Sequence, residues 1–296
     1  MALLPLVCCA PGAGAAVIFE KDSAYHNIQV KDEWGVRTLS FNGSYETQMS
    51  LSNPLEGHFE YIDYFHMPWV LNPGIRRVLM IGLGGGSIQR ACQHYHTNAM
   101  IDTVELDPVV VEVAGKYFGV KETARHRVHV QDGRVFLVRT TNVYDAIIID
   151  AYKTARYGSS VPSHLATDEF FKLVKTRLST NGVLAYNVIG TVRSPGPDLV
   201  GSIYRTLKHS FPQVYMFQAG SGMNVVFVAT RASAPMNYTR FQEAGTASLR
   251  SGIMRVPGFT LRLRAFQAGP PRSAATSYIL TDDYAPVESL ARAGLQ

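Results

Sequence analysis

Arg77-Val78-Leu79-Met80-Ile81-Gly82-Leu83-Gly84-Gly85-Gly86-Ser87, followed by Val104-Glu105-Leu106-Asp107-Pro108, decides how the rest of the chain is read. Val78 to Ile81 is a short continuous apolar run, the pattern of a strand covered on both faces. It enters a glycine turn, and a second apolar run then ends on Glu105. Glycines in such a turn let the backbone approach a bound nucleoside, and a carboxylate about 20 residues further on is placed to grip ribose hydroxyls.

Outward from this stretch, apolar runs alternate with helical spacing. The runs are Val78 to Ile81, Met100 to Val104, Val128 to Val130, Ala146 to Ile149 and Val183 to Val188. Between them, Ser87 to Tyr95, Pro108 to Phe118, Gly133 to Arg139 and Thr167 to Leu178 read as helices, with Asn181-Gly182 closing the last. That alternation predicts a doubly wound, mostly parallel α/β sheet. A further helix over Asp198 to His209 precedes two strands, Val214 to Phe217 and Val225 to Ala229, expected as an antiparallel hairpin on the sheet edge.

Ahead of this domain, Tyr25 to Val30 alternates, Asp32-Glu33-Trp34-Gly35 supplies a turn and Val36 to Phe41 is extended again, which predicts a small antiparallel β domain. Glu56 to Leu71 has mixed helical spacing that stops near Pro68, and Asn72-Pro73-Gly74 is a breaker cluster. The expected divisions are 1–16, 17–72, 73–230 and 231–296. The last is expected to dock on the main domain: residues 231–277, rich in Arg, Ala, Gly and Pro, read as a surface excursion with one helix near Tyr238 to Leu249, and the polar turn Thr281 to Glu288 reads as docking the tail.

The 296 residues, 46% hydrophobic and 17% charged, suffice for a large buried core. The net charge of +5 comes from scattered Lys and Arg, so no nucleic-acid footprint is expected. Cys8, Cys9 and Cys92 fit neither a disulfide framework nor a zinc site, which implies a reducing, cytoplasmic setting and no metal. His94 and His96 read as surface residues. The apolar start, residues 1–16, ends near a signal-peptidase-like Ala13-Gly14-Ala15 but lacks a basic lead, so an unstructured start is preferred to export. No later window reaches the roughly 18 consecutive apolar residues of a membrane span.

Ligands of open α/β sheets sit beyond the carboxyl ends of the strands, where Glu105, Asp132 and Asp150 fall beside the Gly82 to Gly86 turn. Glu105 suits ribose hydroxyls, because Asp107, directly before Pro108, already takes the helix-capping role. Asp132-Gly133 admits two readings, an acceptor for an adenine amino group or a helix cap. Asp150 precedes a loop containing Tyr152, Tyr157, Gly158 and Pro162, and reads as a base or a holder of a cationic group under that loop, or as a turn former.

Asp22-Ser23-Ala24-Tyr25-His26-Asn27-Ile28-Gln29-Val30, the Val78 to Gly86 stretch, Val104 to Pro108, Asp132-Gly133-Arg134 and Tyr144 to Asp150 together resemble, in order, the motifs of the spermidine synthase family. The resemblance implies a Rossmann-like methyltransferase fold with a small N-terminal β domain, and aminopropyl transfer from decarboxylated S-adenosylmethionine to a small-molecule amine. It assigns Glu105 to the ribose, Asp132 and Gly133 to the adenine side, Gly82, Gly84, Gly85 and Gly86 to the methionine-derived part, and Asp150 to deprotonation of the amine. Gln48, Tyr61, Asp63 and Tyr152 are its acceptor-side candidates, and a homodimer is what the family would lead one to expect.

Two departures stand out. Typical members carry an acid where this chain has Gly85, and a second Asp shortly after the catalytic one where it has Asp150-Ala151-Tyr152-Lys153. The loop between Ala151 and Thr167 holds Lys153, Arg156 and His164 but no acid, although a diamine site must compensate ammonium charge. A methyltransferase using intact S-adenosylmethionine is therefore the second reading, and a non-catalytic nucleoside-binding protein the third.

Overall fold

The computed structural model describes residues 15–155, 158–220 and 223–294. Cys8 and Cys9, the Ala13-Gly14 part of the apolar start, Arg156 and Tyr157 of the expected loop, and Ser221-Gly222 of the expected hairpin turn lie outside those residues.

The chain opens with four strands, β1 (Ala16–Asp22), β2 (Asn27–Glu33), β3 (Val36–Phe41) and β4 (Ser44–Ser50), forming one antiparallel meander. Trp34-Gly35 and Asn42-Gly43 make its two tight turns, all four residues at positive φ (51°, 77°, 50° and 83°), the pairing that matches hairpin twist. One face of this sheet, with Ile28, Val30, Leu39, Phe41 and Met49, packs on Val110, Val113 and Phe118 of a helix of the next layer.

Two four-residue helices follow, α1 (Tyr61–Tyr64) and α2 (Pro68–Leu71). Pro68 was expected to stop a helix; it begins α2 instead, its missing N–H costing nothing at a first-turn position. Tyr64, Phe65, Met67 and Trp69 are buried in the core of the large sheet. His96 is also buried there, stacked on Trp69 with ring centroids 3.7 Å apart and hydrogen-bonded to His66 at 2.9 Å, which corrects its surface reading.

The main layer alternates strand and helix: β5 (Arg77–Ile81), α3 (Ser87–Tyr95), β6 (Met100–Glu105), α4 (Pro108–Phe118), β7 (His126–Val130), α5 (Gly133–Arg139) and β8 (Tyr144–Ile149). A short ribbon, β9 (Lys153–Ala155) with β10 (Gly158–Ser160), leads to α6 (Asp168–Thr176), β11 (Leu178–Ile189), α7 (Leu199–Ser210), β12 (Gln213–Gln218) and β13 (Asn224–Thr230). The chain closes with α8 (Tyr238–Arg250), α9 (Phe259–Leu263), β14 (Phe266–Gln267) and α10 (Val287–Ala293).

Eight strands form one sheet in the order β14-β12-β13-β11-β8-β5-β6-β7; β11 and β8 to β7 run parallel, and β12, β13 and β14 are antiparallel to their neighbours. The expected edge hairpin is present, with β14 added outside it. Strand order reverses between β5 and β8, the position where open sheets leave a crevice.

Asn181-Gly182 does not close a helix as expected. The helix ends at Thr176 and the pair sits inside β11, where the register against β8 shifts between Leu178 and Val183. A Cβ on Gly182 would stand 2.9 Å from the backbone of Ser179, so only glycine allows this fold-back. The C-terminal excursion is more than surface: Phe241, Met254, Val256, Phe259, Leu263 and Phe266 are buried against the same core face as α2. The polar turn near the end docks through Asp282, which accepts two bonds from Arg134 (2.7 and 2.6 Å) and one from Thr167 (2.7 Å).

Candidate active site

The tips of β5, β6, β7 and β8 open into one cleft, roofed by the N-terminal sheet and by α1. Gly82 leaves β5 at φ 99°, and a Cβ there would lie 2.1 Å from the carbonyl oxygen of Asp150. Glycine is what lets the tips of β5 and β8 come this close. Gly84 continues the turn and Gly86 caps α3; Gly82 and Gly84 line the cleft.

Gly85 faces the other way. Its N–H donates to Thr47 Oγ1 at 2.9 Å, and a Cβ would stand 2.6 Å from Thr47 Cγ2 and 3.0 Å from Phe118. The acid that the family resemblance led one to expect at this position has no room here, because Thr47 from β4 fills the space.

Glu105 ends β6 with both carboxylate oxygens engaged: Oε2 accepts from the Leu83 N–H at 3.0 Å and Oε1 from the Asp107 N–H at 2.9 Å. Burial pushes its pKa up, and these amides pull it back. Each oxygen keeps a second lone pair for a ligand hydroxyl. Asp107 caps α4 through Val109 N–H at 2.9 Å, as the sequence implied, and its other oxygen is buried without a partner among the described residues.

Asp132 performs the capping alternative, accepting from Val135 N–H at 2.9 Å, while Oδ2 lies 2.9 Å from His164 Nε2. It still lines the cleft with Gly133, so the cap and a ligand contact are compatible. Asp150 follows β8. Asn187 Nδ2 on β11 donates to its Oδ1 at 2.9 Å, and the Tyr61 hydroxyl on α1 donates to Oδ2 at 3.2 Å. Burial raises this carboxyl from 3.8 to about 6, against the opposing pull of those two hydrogen bonds. Tyr152 lies beside it, its hydroxyl buried with no partner among the described residues and its pKa pushed well up by burial and by the Asp150 charge.

The structure thus brings Gly82, Gly84, Glu105, Asp132, Gly133, Asp150, Tyr61 and Tyr152 around one cleft, and leaves two acceptor-side candidates outside it. Gln48 is turned to its cross-strand partner Thr38, donating at 3.3 Å. Asp63 points away from Asp150 and accepts from Arg262 at 2.9 Å. On β4 it is Glu46, two residues before Gln48, that reaches the cleft; a two-residue step moves a side chain about 6.7 Å along a strand. Glu46, Thr47 and Asn187 were not singled out, since nothing local to them signals a ligand; only the packing of β4 over the glycine turn, and the pairing of β11 with β8, brings them in.

Five carboxylates line the cleft (Glu46, Glu105, Asp107, Asp132 and Asp150), and among its described lining residues there is no Lys or Arg. The sequence profile of the spermine/spermidine synthase domain matches residues 59–240. The chain belongs to that family. It is 28% identical over 284 residues to a polyamine aminopropyltransferase of Vibrio vulnificus, an alignment that covers 93% of this chain and 92% of that protein. A crystal structure of a probable spermidine synthase from Corynebacterium glutamicum superposes with a TM-score of 0.64 at 19% identity, covering 80% and 88% of the two chains. Human methyltransferase-like protein 13, solved in complex with SAH, superposes with a TM-score of 0.56 at 25% identity, covering 67% of this chain and 91% of that one. The family resemblance read from the motifs is borne out, and so is the fold it implied. Among the described residues no helix is long and apolar enough to cross a membrane, and no group of three or more His, Cys, Asp or Glu is arranged for a metal ion.

Proposed function

We propose that this member of the spermine/spermidine synthase family transfers an aminopropyl group from decarboxylated S-adenosylmethionine to a small-molecule amine, with Asp150 as the base. The observation that carries this reading is a partly buried carboxylate at the strand tip, Asp150, held on both oxygens and facing a cleft whose charged lining is acidic.

An ammonium has no lone pair and must lose a proton before it attacks. Asp150, raised to about 6 by burial, is a better acceptor for that proton than an ordinary carboxylate. The freed amine attacks the methylene carbon beside the sulfonium; the new C–N bond forms as the C–S bond breaks, and its electron pair returns to sulfur to leave a neutral thioether nucleoside. Glu105 would take the ribose hydroxyls on its remaining lone pairs, and the cleft edge near Asp132 and Gly133 the base. Alignment of nitrogen, carbon and sulfur supplies much of the rest of the acceleration.

The same lining bears on the donor. Intact S-adenosylmethionine carries a carboxylate, which in this cleft would meet five others and no described Lys or Arg. The decarboxylated donor presents only positive charge, which that lining favours. Methyl transfer from the intact donor is the second reading, supported by the likeness to the human methyltransferase. Calorimetry with each donor, followed by mass analysis of label transfer to a mixture of amines, separates the two. Aminopropyl transfer requires tighter binding of the decarboxylated donor and a product heavier by one aminopropyl unit; tighter binding of the intact donor with methyl labelling would overturn it.

A further inference from the structure

We infer that Arg262, in the C-terminal excursion, is a positioning residue for the base: it bridges the two carboxylates that flank Tyr61 and thereby fixes the hydroxyl that holds Asp150. This rests on the reading of Asp150 as the base.

The helix that carries Tyr61 is only four residues long, too short to hold its own orientation. Its direction is set from outside. Arg262 Nη1 lies 2.8 Å from Glu60 Oε1, just before the helix, and its Nε donates to Asp63 Oδ2 at 2.9 Å, within it. Glu60 is tied further by the Tyr64 hydroxyl at 2.8 Å and by the Gly220 N–H at 3.0 Å, beyond the end of β12. One planar guanidinium thus spans both sides of Tyr61, a bridge that a lysine cannot reproduce with a single ammonium.

The strut itself is anchored. Phe259 and Leu263, on either side of Arg262 in α9, are buried, and Leu263 fills the space over Gly245 of α8, where a Cβ would lie 2.5 Å from it. The far end of the linkage is the sensitive one. Tyr61 donates to Asp150 at 3.2 Å, so a movement of a few tenths of an ångström removes the bond. Besides Tyr61, the groups around Asp150 are Asn187 from β11 and Tyr152 from its own loop, with Glu46 of β4 close enough to act on both tyrosines. Arg262 touches none of them directly and acts through α1. It lies beyond residue 240, where the match to the family domain ends.

The test follows the Asp150 carboxyl by 13C NMR across pH in the ligand-free protein, so it needs no turnover. Tyr61→Phe removes one hydrogen bond from the ionised form and is expected to move the titration up by about one pH unit. Arg262→Gln is expected to move it up by a similar amount in the parent and by nothing further in the Tyr61→Phe background. Arg262→Lys keeps the charge but loses the bridge, and is expected to show a smaller upward shift. An unmoved titration in Arg262→Gln, an equal shift in both backgrounds, or full recovery by lysine would each overturn the positioning role. A parallel transfer assay keeps the two claims apart: a parent protein that moves no aminopropyl group strikes at Asp150 as base, whereas an unmoved carboxyl in Arg262→Gln strikes at Arg262.

Discussion

Replacing Asp150 by Asn is expected to stabilise the fold while abolishing transfer. Burial raises the Asp150 carboxyl from 3.8 to about 6. A folded-state value above the unfolded one means that the stability contribution is complete below about pH 4 and is lost as pH rises through about 6. Roughly two pH units correspond to about 3 kcal/mol withheld at neutral pH. Asn carries no charge to desolvate and keeps the shape. With its Oδ1 toward Asn187 Nδ2 and its Nδ2 toward the Tyr61 hydroxyl, which then accepts instead of donating, both hydrogen bonds survive. Urea denaturation at pH 7.5, 6, 5 and 4 should therefore show the variant about 2–3 kcal/mol more stable at pH 7.5, with the gap closing steadily toward pH 4. The same variant should lose about two to four orders of magnitude in kcat. A variant no more stable than its parent at pH 7.5, or a gap that does not change with pH, would refute burial as the cause of the shift.

The rest of the site gives shorter predictions. Glu105→Ala strips the acceptor from the Leu83 and Asp107 amides along with the proposed ribose contact, so donor affinity should fall about 100-fold or more; calorimetry that finds it unchanged would sink the ribose assignment. Because Asp150 must be ionised to act, kcat/KM should decline below about pH 6 as the carboxyl gains its proton, and the residual activity of Asp150→Asn should lack that limb in a stopped-time pH series. Gly85→Ala forces a Cβ to 2.6 Å from Thr47 Cγ2 and should cost about 1–3 kcal/mol in thermal unfolding, part of which Thr47→Ala returns; a neutral Gly85→Ala would mean that β4 yields without cost.

The parallel sheet was legible because each strand is a short apolar run bounded by breakers, and the cleft because its carboxylates end those runs: Glu105 and Asp150 stand where the reading of strand tips placed them. What sequence did not reveal came from contacts between distant elements. His96 looked like a surface residue by local polarity, and is buried because Trp69 and His66 from 30 or so positions earlier cover it. Asn181-Gly182 carries a chain reversal in either setting, and only the pairing of Leu178 with Tyr144 makes it part of a strand. Gln48 was taken from a likeness in the N-terminal strands, where a step of two residues changes the site but not the pattern, and the structure gives the cleft to Glu46.

That substitution of position bears on the missing acids. The loop after Asp150 has no described carboxylate to meet an ammonium, and the glycine turn has none at Gly85, which by local sequence left the cleft short of negative charge. In three dimensions one strand bears on the second of these. Strand β4 lies over the turn, so Thr47 occupies the volume that an acid at position 85 would need and takes its N–H, and the neighbouring Glu46 reaches the cleft from that strand. The share of the acidic lining that Glu46 supplies therefore depends on the N-terminal sheet staying seated on the glycine turn and on α4, through Phe41, Met49 and Phe118. Loosening that seat should weaken binding of cationic ligands even though Glu105 and Asp150, on the large sheet, keep their own hydrogen bonds.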